Sequence, residues 1–123
     1  MISDSRDLED QAACFAALSD TTRLKLLKLL CGQRTPDALC VNALAGLLGV
    51  SQSAVSQHLR VLKSVGLVKG VRRGYHIHYF VNNDILEKYR SLTSMTLSVE
   101  PPNHDQACQE YCPERRDEAA SSS

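Results

Sequence analysis

Apolar residues recur at helical spacing in five stretches of the chain and alternate in one. In residues 7–18, DLEDQAACFAAL, Leu8, Ala12, Phe15 and Leu18 fall on one face of a predicted helix. A second helix is expected over TTRLKLLKLLCG, residues 21–32, with Ser19 or Asp20 as its N-cap and Gly32 as its stop. Its buried side reads as Leu24, Leu27, Leu30 and Cys31. After the loop GQRTPDA, a short helix starts at Leu39, with Val41, Leu44, Ala45 and Leu48 as its stripe and a turn at Gly49. Ser51 caps the next helix, although Ala54 three residues on leaves the capping box incomplete. There Val55, Leu59 and Leu62, spaced i, i+4, i+7, belong in a core, and Gly66 ends the helix.

The alternating stretch is LVKGVRRGYHIHYFV. It predicts a hairpin with strands near 67–72 and 75–81. A last helix is expected over 84–98, capped by Asp84, with Ile85, Leu86, Tyr89, Leu92 and Met95 as its apolar positions and Glu-Pro-Pro at 100–102 as its stop. The fold class that follows is mainly α with a small β-hairpin, in the order α-α-α-α-β-β-α. Residues 1–99 make one domain, and 100–123 make a polar, flexible tail carrying a Cys-x3-Cys pair.

Composition narrows this little. With 123 residues and 43% hydrophobic content, the chain supports one packed core. The opening MISDSRDLED has no signal-peptide h-region, and no apolar run approaches the roughly 20 residues of a membrane span. A soluble, cytoplasmic protein with no membrane partner is expected. Five cysteines, 14, 31, 40, 108 and 112, then read as thiols rather than as a disulfide framework.

The distribution of charge says more. The formal net charge is zero, yet residues 21–80 hold nine bases against the single acid Asp37. The segments on either side each carry a net of −4. A basic centre between acidic ends suits a chain that meets a polyanion locally.

The helix after Ser51 shows where. Its polar stripe is Gln52, Ser53, Ser56, Gln57, Arg60 and Lys63, with no carboxylate. Solvated helix faces ordinarily mix Glu with Lys, whereas acid on a DNA-reading face would repel phosphate. A helix, a tight Gly turn, a helix and a basic hairpin together describe a winged helix-turn-helix. Gln52 and Gln57 offer a donor and an acceptor side by side to a base edge. Ser51, Ser53 and Ser56 suit phosphates or base edges, and Arg60 and Lys63 suit the backbone. Arg72 and Arg73 at the wing tip suit the minor groove or its phosphates. His58 lies beside the core stripe and fits either a phosphate contact or a half-buried hydrogen bond.

The runs LSDTTRL, LCVNALA, SQSAVSQHL and LKSVGLV, followed by the wing, resemble the ArsR/SmtB family of metal-sensing repressors over residues 8 to about 97. The resemblance implies a homodimer joined through its first and last helices. It implies a pseudo-palindromic double-stranded DNA operator, no permanent cofactor, and release by an inducer. The chain departs from the family in two places. The arsenic-type pattern LCVCDLA reads LCVNALA at 39–45, so Cys40 stands but Asn42 and Ala43 replace the second cysteine and the acid. The zinc-type last helix begins NNDIL at 82–86, without a histidine.

Cys108 and Cys112, spaced i, i+4, offer replacements. Cys40, at a helix N-terminus where the dipole favours negative charge, completes an expected three-thiolate set for As(III), with Sb(III), Cd(II) or Pb(II) as other thiophilic inducers. Cys14 and Cys31 read as core packing. His76 and His78, at i, i+2 on one strand, read as polar wing positions and more weakly as a metal pair. A redox or persulfide sensor of the same fold remains as a rival. A thiol reductase lacks a C-x-x-C motif, and a winged helix serving only protein contacts does not account for the carboxylate-free face.

Overall fold

The computed structural model describes residues 5–33, 39–99 and 109–112. Two helices open the chain, α1 (Ser5–Leu18) and α2 (Thr21–Gly32). Then follow β1 (Leu39–Cys40), α3 (Val41–Leu48), α4 (Gln52–Ser64), β2 (Val68–Arg73), β3 (His76–Val81) and α5 (Asn83–Thr96). The result is a winged helix-turn-helix. The expected order of elements stands, with one short strand inserted before α3.

Local chemistry sets the boundaries. The Asp20 carboxylate caps α2 by accepting the Arg23 amide at 3.0 Å. The Ser51 hydroxyl caps α4 by accepting the Ala54 amide at 3.1 Å. α5 is capped by Asn82, whose side chain accepts the Ile85 amide at 3.4 Å, and not by Asp84, which sits exposed in the first turn. Between α3 and α4 the chain reverses through Gly49 at φ 68, a left-handed conformation that any side chain would strain.

The core lies where α2, α3, α4 and the sheet meet. Leu26, Leu44, Val55, Leu59, Leu62 and Leu67 are fully buried there. The α4 stripe is as the spacing predicts. The α2 face is not, and the apolar face marked out on α1 is not the one that enters the core. α1 buries Gln11, Cys14 and Ala17, while Leu8 and Phe15 are exposed. α2 buries Leu26 and Leu30, leaving Leu24 about half exposed and Cys31 at the surface. Both helices carry leucine or alanine on several sides. Their apolar spacing therefore fits more than one burial direction, and the packing of neighbouring helices selects one.

The sheet is antiparallel in the order β1-β3-β2. The strands of the hairpin lie one residue later than the pattern predicts at their first ends, with the turn at Gly74 and Tyr75. Gly70 is required by its neighbours. A Cβ there would lie 2.8 Å from Ile77 Cγ2 and 3.2 Å from the Tyr79 ring.

Candidate nucleic-acid interface

α4 turns its Val55–Leu59–Leu62 edge into the core, so its opposite face is left to solvent. Ser51, Gln52, Ser53, Ser56, Gln57, Arg60 and Lys63 are all exposed there. Three exposed serines and two glutamines hold the N-terminal half, and the two cations follow along the helix. A cavity of about 310 Å³ between this face and the sheet is lined by Ser56, Leu59, Arg60, Lys63 and Tyr79. α4 and the wing thus share a basic-edged cleft.

Arg72 and Arg73 are exposed at the end of β2, next to a fully exposed Tyr75 at the tip. The Arg73 guanidinium lies 5.3 Å from the centre of the Phe80 ring, a cation–π contact that holds it over the wing. All the expected DNA-facing residues except one are therefore on exposed surface.

The exception is His58. It is half-buried, and its Nδ1 stands 3.2 Å from an Arg23 Nη1. A guanidinium only donates, so Nδ1 accepts, and the ring proton in the neutral form lies on Nε2. The Asp20 carboxylate is 3.9 Å away, too far for a hydrogen bond of its own. Arg23 also donates from Nε to the Ala17 carbonyl at 2.6 Å. His58 thereby fastens α4 to the start of α2.

The cysteines are dispersed. Cys14 is buried in the core, and burial pushes its thiol pKa up, which suits a protonated packing residue. Cys40 is the last residue of β1 and the N-cap of α3, half-buried, with no capping hydrogen bond from its side chain. Cys112 is exposed, whereas Cys108 and most of the tail lie outside the described residues. Among the described residues no group of three His, Cys, Asp or Glu side chains is placed to hold a metal.

Sequence pattern missed two features around Cys40. Gln33 donates from Nε2 to the Tyr79 carbonyl at 2.6 Å and accepts the Leu39 amide at 2.9 Å, so one side chain ties the end of α2 to β1 and β3. That clamp builds β1, which places Cys40 directly opposite His78. A two-residue strand has no alternation to detect, and a lone glutamine in a loop carries no signal.

Comparison with known proteins adds to this geometry. Residues 20–69 match the model of the arsR family of bacterial regulatory proteins. A structure of an ArsR-like transcriptional regulator from Rhodococcus superposes with a TM-score of 0.61 at 34% identity, covering 72% of this chain and 81% of that one. The chain belongs to the ArsR family. The family model spans α2, β1, α3, α4 and the start of β2, so Cys40 and the exposed face of α4 fall inside it. A transcriptional repressor SmtB homolog of Synechocystis is 40% identical over 85 residues, which are 68% of this chain and 61% of the relative. A homodimeric winged helix-turn-helix DNA-binding domain from Mycobacterium bovis superposes with a TM-score of 0.60 at 26% identity, over 76% of this chain and 87% of that one. This ArsR-family chain spans about three fifths of the length of the curated relatives it matches.

Proposed function

We propose that this ArsR-family chain is a cytoplasmic transcriptional repressor that binds a pseudo-palindromic double-stranded operator as a homodimer. It releases that operator when Cys40, Cys108 and Cys112 bind a thiophilic metal or metalloid, with As(III) foremost. The observation that carries the DNA part is the exposed, carboxylate-free face of α4 beside a wing ending in Arg72 and Arg73. Gln52 and Gln57 read base edges, and Arg60, Lys63 and the wing arginines hold phosphates. One reading helix contacts too few bases for useful specificity, so two are needed.

The inducer part rests on donor chemistry. Three sulfurs suit a lone-pair ion such as As(III), and soft thiolates suit Cd(II) and Pb(II). A coupling of about 1–3 kcal/mol between inducer and DNA is enough for a useful switch.

The test is fluorescence anisotropy on promoter DNA under reducing conditions. Affinity falls steeply with salt if phosphates are contacted. Equimolar arsenite releases the DNA, while Cys40→Ser and Cys108→Ser stay bound. Tight DNA binding that arsenite, Cd(II) and Pb(II) all fail to relieve, but that oxidants or persulfides do, would replace the metal reading with the redox one.

A further inference from the structure

We propose that Cys40 and His78 form a mixed sulfur–nitrogen half-site for a divalent d10 ion such as Zn(II) or Cd(II). The inference rests on Cys40 being an inducer ligand, as above, and adds a nitrogen donor that changes which ions the site accepts.

The two residues are register partners on adjacent antiparallel strands. Directly opposed residues project to the same face of a sheet, with Cβ atoms about 4.5–5.5 Å apart. A thiolate at about 2.3 Å and an imidazole at about 2.0 Å from one zinc ion converge from that separation without moving the backbone.

His78 also has an unmet need. Its Nδ1 is buried and has no hydrogen-bond partner, not even the Cys40 thiol. A buried polar atom left unpaired loses its hydration without replacement, so a ligand that accepts its lone pair would stabilise it. The other side chains on that sheet face do not fill it. Val71 is its β2 partner, Phe80 and His76 are its strand neighbours, and neither Lys69 nor Arg73 on the same face reaches it with a hydrogen bond. Cys40, directly opposite on β1, is the neighbour that offers a soft sulfur donor.

The donor set then selects the ion. Thiolate and imidazole together suit zinc-type divalent ions, whereas As(III) is satisfied by sulfur alone. No third ligand stands beside the pair among the described residues. The half-site therefore leaves coordination positions for a further ligand, and arsenite and Zn(II) compete for Cys40.

The experiment uses the full chain, reduced and metal-free. Zn(II) is titrated against a chromophoric chelator, and the imidazole nitrogens of the parent protein are followed by 15N NMR. One equivalent of Zn(II) should shift a His78 nitrogen. His78→Gln should weaken Zn(II) binding by more than the roughly 10- to 100-fold that loss of a ligand's hydrogen-bonding partner costs, since a direct ligand is removed. It should leave metal-free DNA binding and arsenite release unchanged, and His76→Gln should leave Zn(II) affinity unchanged. Cys40→Ser should lose both ions. Zn(II) held as tightly by His78→Gln as by the parent, or a His78 nitrogen unmoved by Zn(II), would overturn the pair. A His78 nitrogen that moves with Zn(II), in a protein that arsenite never releases from DNA, would sink the arsenite reading and leave the pair standing.

Discussion

Arg23 reaches three partners at once: the Ala17 carbonyl, the His58 ring and, through its amide, the Asp20 carboxylate. The last contact has a pH signature. The Arg23 amide hydrogen bond, helped by the nearby Arg23 charge, holds the Asp20 carboxyl below its ordinary value. A depressed folded-state pKa means that the unfolded chain binds the proton first as pH falls. The stabilisation is whole above the unfolded value near 4 and is lost as pH drops through the folded one. Asp20→Asn keeps a capping side chain but removes the titration. Thermal melts between about pH 2.5 and 6 should therefore show a shallower acid limb for Asp20→Asn than for the parent. Equal limbs would mean that the cap carries no charge-dependent stability. Asp20 as a cap was legible in the sequence. Arg23 binding a histidine 35 positions away was not, because nothing in either local stretch encodes the meeting.

At the scale of elements, the reading helix and the wing followed from pattern, and the reason is burial. α4 has a single apolar edge at i, i+4, i+7, so one face goes inward and the other is determined. α1 has apolar residues on two faces, and periodicity alone does not say which enters the core: Gln11, Cys14 and Ala17 go in, with Cys14 as expected, and Phe15 stays out. β1 exists only because Gln33 and β3 hold it. The wing was legible as alternation, but its need for Gly70 was not, since that comes from two side chains on the facing strand. Gly70→Ala should push Ile77 and the Tyr79 ring aside. An overpacked contact of this kind typically costs about 1–3 kcal/mol. Chemical denaturation should show that loss, with weaker DNA binding because Tyr79 lines the cleft beside α4.

For the whole molecule, α1 and α5 pack together yet keep much apolar surface outside. Leu8, Phe15 and Met95 are exposed, and α5 has no fully buried residue. The two helices are joined by polar contacts, Thr96 donating to Gln11 Oε1 at 2.7 Å and Lys88 facing Asp10 at 3.8 Å. Ile85, Leu86 and Tyr89 pack on the core but stay only partly buried, and a second surface, which the proposed homodimer supplies, would complete the burial of such a helix. Phe15→Glu should yield a monomer in sedimentation velocity and lose operator affinity on the order of 100-fold or more, as a half-site binder loses avidity. A Phe15→Glu chain that sediments as a dimer would place the interface elsewhere.

The position of Cys40 has a mechanical side. Its register partner His78 is on β3, the same strand that runs out to the wing tip four residues away at Gly74. That arm is about 13 Å long, so a tilt of about 5° at its root carries the tip roughly 1 Å. Hydrogen bonds to a phosphate tolerate little more than that. In the proposed switch, a small rotation at the thiol would thus be geared up before it reached the arginines, a short path being enough.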